Sequence, residues 1–203
     1  MGYNWTNITA APVGDADGFL TAVDMKIGTA YTLDATAPTF GARHVTCTRT
    51  RDGAGGTDDT PGTLVLIGKD LAGSTITETL TVGANTVLVT GTKFFASLTS
   101  ATSVGWVVDV GAGKDHLEVG WDAECAVATG SGVLHGIVIN TTAAGIISIF
   151  DANGAIAVLP ASVADGTFYA YDVNYSGYLR VEPAAASDIT ILHTGSLPSS
   201  YSK

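Results

Sequence analysis

Apolar and polar side chains alternate with a period of two residues along most of this chain. Residues 74–82 show the pattern most clearly, because Ile76, Leu80 and Val82 fall on one face and four threonines fall on the other. Successive side chains of a β-strand point to opposite faces of a sheet, so this period predicts half-buried strands. The apolar face also holds Glu78, whose carboxylate we expect either at the rim of the sheet or bonded to a backbone amide or a cation.

Turn-forming residues separate the strand patterns from end to end. The chain has 25 glycines, and only 14% of its residues are charged. This composition is typical of pleated sheets joined by tight turns, and it leaves few of the residues that favour helices. Short strand patterns with turns between them continue from residue 133 to residue 193, which indicates a small sandwich or barrel. We therefore expect an all-β protein, with an antiparallel β-sandwich followed by a second, smaller β-sandwich or barrel-like domain.

Changes in composition along the sequence predict the domain boundaries, with a Gly- and Ser-containing stretch near residue 130 as the clearest break. We predict an N-terminal arm with edge strands over residues 1–41, a β-sandwich domain over 42–122, a linker over 123–132, a small β domain over 133–194 and a flexible tail over 195–203. The first region has two open interpretations. It is either an arm that packs on a neighbouring subunit or an edge strand of the chain's own domain.

The acidic balance of the chain limits its partners. Nine basic and 19 acidic residues give a formal net charge of -10, so a phosphate backbone would be repelled and nucleic acid is not an expected partner. The first residues lack the features of a secretory signal, and no run reaches the roughly 18 apolar residues of a membrane span. We expect a soluble protein without a membrane partner. The low charge content favours extensive subunit contacts, with a monomer of Thr- and Ser-rich surface as the alternative.

No arrangement of residues predicts catalysis. The Gly-x-Ser-x-Gly elbow of a serine nucleophile is absent, and the four histidines lack the spacing of metal ligands. We therefore expect no enzyme activity, no cofactor and no histidine metal site. Cys47 and Cys125 lie far apart in the sequence, and two free thiols are the preferred interpretation over a disulfide.

Two acidic pairs and one group of tyrosines are the candidate binding residues. Asp15 with Asp17, and Asp58 with Asp59, could each hold a cation, although a simple turn or a solvated loop is the favoured interpretation. Tyr169, Tyr171 and Tyr178 are candidates for glycan or partner contact, because they fall in strand patterns that could share a face. A cross-strand aromatic cluster that stabilises the domain is the favoured alternative for the tyrosines.

Two segments resemble phage virion structural proteins. Residues 63–80 read TLVLIGKDLAGSTITETL and residues 91–106 read GTKFFASLTSATSVGW, a strand with a Gly turn, Ile-Thr-Glu and a Phe-containing return strand. This resemblance covers roughly residues 42 to 121. Residues 171–179, YDVNYSGYL, and 188–192, DITIL, are similar to small β modules at the ends of capsid and tail accessory proteins.

The resemblance implies a β-sandwich protein that assembles on a phage head or tail, commonly as a trimer. The acidic charge fits the outer surface of a capsid better than its DNA-lined interior. We therefore expect a capsid decoration or cement protein that is assembled in the host cytoplasm, with copies of itself and the major capsid protein as partners. The alternative is a receptor- or glycan-binding module of a tail or head fibre.

Overall fold

The protein is built almost entirely from β-strands. The structure, a computed structural model, describes residues 3–9, 12–25, 30–38, 40–51, 59–107, 115–141, 144–185 and 187–196. The strands in these ranges are β1 (Asn4–Ile8), β2 (Asp15–Asp24), β3 (Ala42–Thr50), β4 (Thr63–Lys69), β5 (Thr75–Thr81), β6 (Leu88–Phe95), β7 (Ser97–Val104), β8 (His116–Ile139), β9 (Ile147–Asp151), β10 (Gly154–Leu159), β11 (Phe168–Tyr175), β12 (Tyr178–Pro183) and β13 (Ile189–Ser196). The paired strands run antiparallel, which confirms the predicted all-β antiparallel fold. Within these ranges, no helix is long and apolar enough to cross a membrane.

The chain divides into two compact units. The central unit comprises Gly14–Asp70 and Ser74–Ala123, and the C-terminal unit comprises Met1–Val13, Leu71–Gly73 and Glu124–Lys203. The chain passes from the first unit to the second within the long strand β8.

The central unit buries one apolar core between antiparallel strands. The three strands β5, β4 and β7 form one sheet in that order, while β2 pairs with β8 and β3 pairs with β6 and β8. Alternate residues of β4, Leu64 and Leu66, are fully buried, as are Val119 of β8 and Phe95 of β6. Burying a side chain of this size contributes roughly 1.5–3 kcal/mol, so these buried side chains stabilise the central unit.

Polar groups inside the central unit have specific partners. Arg49 donates from Nε to Asp115 Oδ2 at 2.9 Å and from Nη2 to the same oxygen at 2.7 Å, and both side chains are almost fully buried. Glu78 is half-buried, and its carboxylate accepts the backbone amide of Thr92 at 2.6 Å and that of Lys93 at 3.3 Å. Of the alternatives that the sequence left open, Glu78 therefore takes the bond to a backbone amide.

The C-terminal unit is a sheet in which β1, β13, β8, β12, β9 and β10 follow one another, with β11 also paired to β8. One face of this sheet, here called the inner face, is a dry apolar layer. Ile8 of β1, Ile191 of β13 and Ile137 of β8 are each no more than 1% exposed. Tyr175 at the end of β11 donates its hydroxyl to the carbonyl of Thr194 at 2.6 Å, and burial raises the pKa of this tyrosine to about 12.

Three boundary predictions require comment. The predicted linker over residues 123–132 is wrong, because these residues lie inside β8 and residues 126–129 pair with β12. The predicted arm over residues 1–41 is divided: β1 pairs with β13 as an edge strand of the C-terminal unit, and β2 belongs to the central unit. The predicted tail lies outside the described residues from position 197 onward, while residues 195–196 are part of β13.

Both cysteines are free and buried, as the sequence predicted. Burial raises the pKa of the Cys47 thiol to about 11, because the thiolate would lose its hydration inside the central unit. This thiol is therefore a core side chain and not a reactive group.

Candidate assembly surface

The face of the C-terminal unit opposite its isoleucine layer carries two rows of residues in register. Trp5, Leu192, Gly136 and Ala170 lie side by side across β1, β13, β8 and β11. The adjacent row, one step further along the strands, contains Asn7, Thr190, Val138 and Phe168. We call these eight residues the outer face.

Two large aromatic side chains are exposed on the outer face. Trp5 is 61% exposed and Phe168 is 53% exposed, although both belong to regular strands. Leu192 and Val138 lie between them and are half-buried. Exposed apolar residues are common singly, but a contiguous group of them on one sheet typically marks an interaction site.

Gly136 allows the ring of Phe168 to lie against the sheet. A Cβ atom placed on Gly136 would be 2.5 Å from Cε2 and Cζ of Phe168, which is far inside van der Waals contact. Any other residue at this position would therefore lift the ring away from β8. The glycine fixes where Phe168 presents its exposed edge.

The outer face is also free of formal charge. None of its eight residues is Asp, Glu, Lys or Arg, although the chain has a net charge of -10. A surface without charges pays little desolvation free energy when it is covered, and it does not repel a partner of the same sign. The outer face is therefore suited to protein contact.

A histidine at a β-bulge borders the outer face. Relative to β13, β8 has one extra residue between Gly136 and Leu134, and that residue is His135. Relative to β8, β11 in turn has one extra residue between Ala170 and Val173. Its Nδ1 lies 2.7 Å from Asp172 Oδ1, and Asp172 has a φ of 50°, in the left-handed region. The ring of Tyr3 meets His135 edge-on, with 4.9 Å between the ring centroids.

A second histidine lies beneath β1, on the inner face of the sheet. His193 of β13 is fully buried, and its Nε2 is 3.2 Å from Thr6 Oγ1 of β1. The pKa of His193 is lowered to about 4, mainly because burial penalises the charged imidazolium; a backbone hydrogen bond at Thr194 partly opposes this effect, and the nearby charge of His135 adds to it. His193 is therefore neutral at physiological pH and helps to fix β1 on the sheet.

The structure brings two of the three candidate tyrosines together. Tyr169 and Tyr171 are half-buried neighbours in β11, and burial followed by the proximity of Tyr169 raises the pKa of Tyr171. Tyr178 pairs with Thr129, whereas Tyr169 pairs with Ile137. Eight residues of β8 separate those partners, which is about 26 Å of extended strand. Because β11 and β12 follow each other along β8, Tyr178 lies apart from Tyr169, and a face shared by all three tyrosines stays a prediction.

The orientation of Tyr169 favours packing over an exposed platform. It lies opposite Ile137, a fully buried residue of the inner face. Phe168 and Ala170, its neighbours in β11, point to the outer face instead. This placement favours packing of Tyr169 within the domain, while a cross-strand cluster of the three tyrosines stays a prediction.

The acidic candidates have local explanations where they are described. Asp15 and Asp17 are exposed at the start of β2, and the Asp17 amide donates to Asp15 Oδ1 at 3.4 Å. Their side-chain hydrogen bond, followed by partial desolvation and the charge of Asp15, raises the pKa of Asp17. Asp59 is buried, and Asp58 lies outside the described residues.

Sequence reasoning missed Trp5 and Phe168 as site residues. Within β1, Trp5 and Ile8 differ in parity, so they must point to opposite faces. Phe168 likewise differs in parity from Tyr169. The signal for an outer apolar face was present, but the pairing of β1 with β13 was needed to show that the two aromatic residues share it.

Comparisons with known proteins identify no family. No family model matches the chain, and no curated protein matches it either. Among solved structures, a match described as "cAMP bound PfPKA-R (141-441)" covers 95% of this chain and 70% of that chain at 7% identity. Its TM-score of 0.16 is too low to support a conclusion about fold or function.

Proposed function

We propose that this chain is a structural protein of a bacteriophage particle, a capsid decoration or cement protein that acts by covering and joining other subunits. The observation that carries the proposal is the uncharged outer face, with Trp5 61% and Phe168 53% exposed on a chain of net charge -10. A protein that works by contact needs a surface of this kind and needs no reactive groups.

The physical chemistry of the outer face fits a stable interface. Apolar area removed from water contributes about 25 cal/mol per Å², and aromatic anchors supply most of the binding free energy in typical interfaces. Trp5 and Phe168 are held by regular strands, so little side-chain or backbone entropy is lost when a partner covers them.

The charge of the chain favours the exterior of a particle. Nineteen acidic residues against nine basic ones would repel packaged DNA if the protein lined the inside of a capsid. On the outside, the same charge keeps the free protein dispersed while the outer face contacts copies of the chain and the major capsid protein. The resemblance of residues 42–121 to virion proteins is the reason for choosing a phage particle as the assembly.

The test compares phage particles with and without this protein. We expect the complete particles to burst at a higher temperature, because each added interface offsets the outward pressure of packaged DNA. Equal burst temperatures would remove the cement function. Binding of the purified chain to a glycan array, without binding to particles, would instead support the receptor-binding alternative.

A pair of matched variants links the test to the outer face. Phe168→Asp places a charge on the outer face, and Val158→Asp places the same charge on an apolar residue of β10 that is 58% exposed. We expect Phe168→Asp to weaken binding to particles at least tenfold and Val158→Asp to bind as the unchanged protein does. Equal binding of both variants would contradict the assignment of the outer face.

A further inference from the structure

We propose that two copies of this chain associate through β1, which pairs antiparallel with β1 of the second copy about a two-fold axis and extends the sheet of the C-terminal unit across both protomers. The inference rests on the proposed function as an assembly protein and specifies its first partner, a second copy of the chain. It follows from the position of β1, its composition and the distribution of charge around it.

Within the part of the chain that the structure describes, no strand pairs with the edge of β1 that faces away from β13. In the sheet of the C-terminal unit, β1 stands at one end of the strand order and β10 stands at the other. An edge strand offers a row of unpaired backbone donors and acceptors, and proteins that must stay monomeric block such edges with charges, prolines or bulges.

Other edges of this protein carry those protective features. β10 has a register shift between Ala155 and Ala157, and Pro160 follows its last residue. β5 turns the carboxylate of Glu78 toward the neighbouring amide of Thr92. β11 has a bulge next to the exposed charge of Asp172.

By contrast, β1 has none of these features. Its five residues, Asn4–Ile8, pair with β13 in uninterrupted register. The strand contains no proline, no charged residue and no glycine, and its Trp5 is exposed. It therefore has the properties of a strand that is paired in the assembled state.

The alternation of side chains along β1 determines the register in which two copies can pair. Alternate residues of β1 belong to different faces, with Trp5 and Asn7 on the outer face and Ile8 buried on the other. If the two-fold axis lies at one residue, so that this residue pairs with its own copy, outer-face residues pair only with outer-face residues of the partner. An axis between two residues would set outer-face residues opposite residues of the inner face. An axis at Thr6, the middle residue, pairs all five positions and sets Trp5 of one copy opposite Asn7 of its partner.

The absence of charge on β1 limits the repulsion between two acidic copies. Two chains of net charge -10 repel each other, and this cost is smallest where neither copy presents a charged group. The outer face has no charged residue, and β1 forms its border. Pairing through β1 joins two outer faces into one continuous uncharged surface, which is then available to the capsid.

The experiment measures the mass of the full-length chain by light scattering across a concentration series. Trp5→Asp and Val158→Asp form a matched pair, because the two residues are 61% and 58% exposed on strands at opposite ends of the same sheet. We expect a dimer for the unchanged chain and for Val158→Asp, and at least tenfold weaker dimerisation for Trp5→Asp. Circular dichroism establishes that each variant is folded.

Three results would overturn the inference: a monomeric unchanged chain, a trimer, or a dimer that Trp5→Asp leaves intact. A chain that dimerises in this way but does not bind phage particles would refute the proposed function and leave the inference standing. A monomer that binds and stabilises particles would do the reverse.

A distance measurement tests the register itself. Asn7→Cys adds one exposed thiol to a protein whose own two cysteines are buried, so a nitroxide label can be placed selectively. With the axis at Thr6, the two position-7 Cα atoms would lie about 8 Å apart, from the spacing of paired strands and residues. We expect strong dipolar broadening in the dimer, and its absence would exclude pairing through β1.

Discussion

Protonation of His193 should destabilise this protein as the pH falls from about 6.5 to about 4. The side chain is fully buried, and its pKa is lowered from 6.5 to about 4, first because burial penalises the charged imidazolium and then because His135 is nearby. In the unfolded chain, the same imidazole would titrate near its ordinary value. Between these two pKa values the unfolded state therefore binds more protons than the folded state.

The sign and size of the effect follow from this difference. When the unfolded state binds more protons, the free energy of unfolding rises with pH, so the stability contributed by the neutral His193 is complete above pH 6.5 and declines toward pH 4. Each pKa unit corresponds to about 1.36 kcal/mol, so a decrease from 6.5 to about 4 gives a loss of about 3 kcal/mol. That is a substantial part of the stability of an ordinary domain.

Urea unfolding at pH 7 and pH 4 measures this contribution when the unchanged chain is compared with His193→Gln. Carboxylates also titrate in this range, but they contribute alike to both proteins. We expect the unchanged chain to lose about 3 kcal/mol more than His193→Gln between pH 7 and pH 4. Parallel losses for the unchanged chain and His193→Gln would refute this account of the buried imidazole.

Three further predictions concern the central unit. Gly91→Ala would place a Cβ atom 2.5 Å from Oε2 of Glu78, and we expect the displaced carboxylate to cost about 1–3 kcal/mol of unfolding free energy in urea; an unchanged midpoint would contradict this. Asp115→Asn should lower the free energy of unfolding by about 3–5 kcal/mol, because it leaves the buried Arg49 without its carboxylate. The double variant with Arg49→Met should regain much of this loss in the same assay, and additive losses would show that the two side chains are not coupled. Cys47, with its pKa raised to about 11, should react with a thiol reagent at pH 8 only after unfolding, and rapid labelling of the native protein would show that this core opens.

The sequence predicted the strands well where one face is buried and the other is polar. In residues 74–82, Leu80 and Val82 are buried and the four threonines are exposed, as the alternation predicts. The same logic placed Glu78 on an apolar face. The choice among its possible partners required the structure, since Thr92 and Lys93 approach from another strand.

The predicted linker shows where composition misleads. Residues 123–132 are rich in Ala, Gly and Ser, which resemble a loop when the chain is read alone. In the structure, Ala126 and Ala128 are fully buried within β8, and Gly130 has a φ of 81° that few other residues would adopt. Small residues here allow neighbouring parts of the protein to pack closely against β8. This packing depends on the tertiary structure, so the local sequence pattern does not predict it.

The candidate site was the part least accessible from sequence. Thr6 meets Ile191 across a separation of almost the whole chain, and no periodicity reports such a pairing. Without it, Trp5 and Phe168 are two unrelated aromatic residues. With it, they belong to one uncharged face, and Tyr169, one of the three candidate tyrosines, lies opposite the buried Ile137.

Hydroxyl-radical footprinting of Trp5 and Phe168, in the dilute free chain and in the assembled phage particle, tests the central claim most directly. If the outer face is the contact surface, both side chains react readily in the free chain, in keeping with their 61% and 53% exposure, and become protected in the particle. If both remain as reactive in the particle as in the free chain, the outer face is not the surface through which this protein assembles.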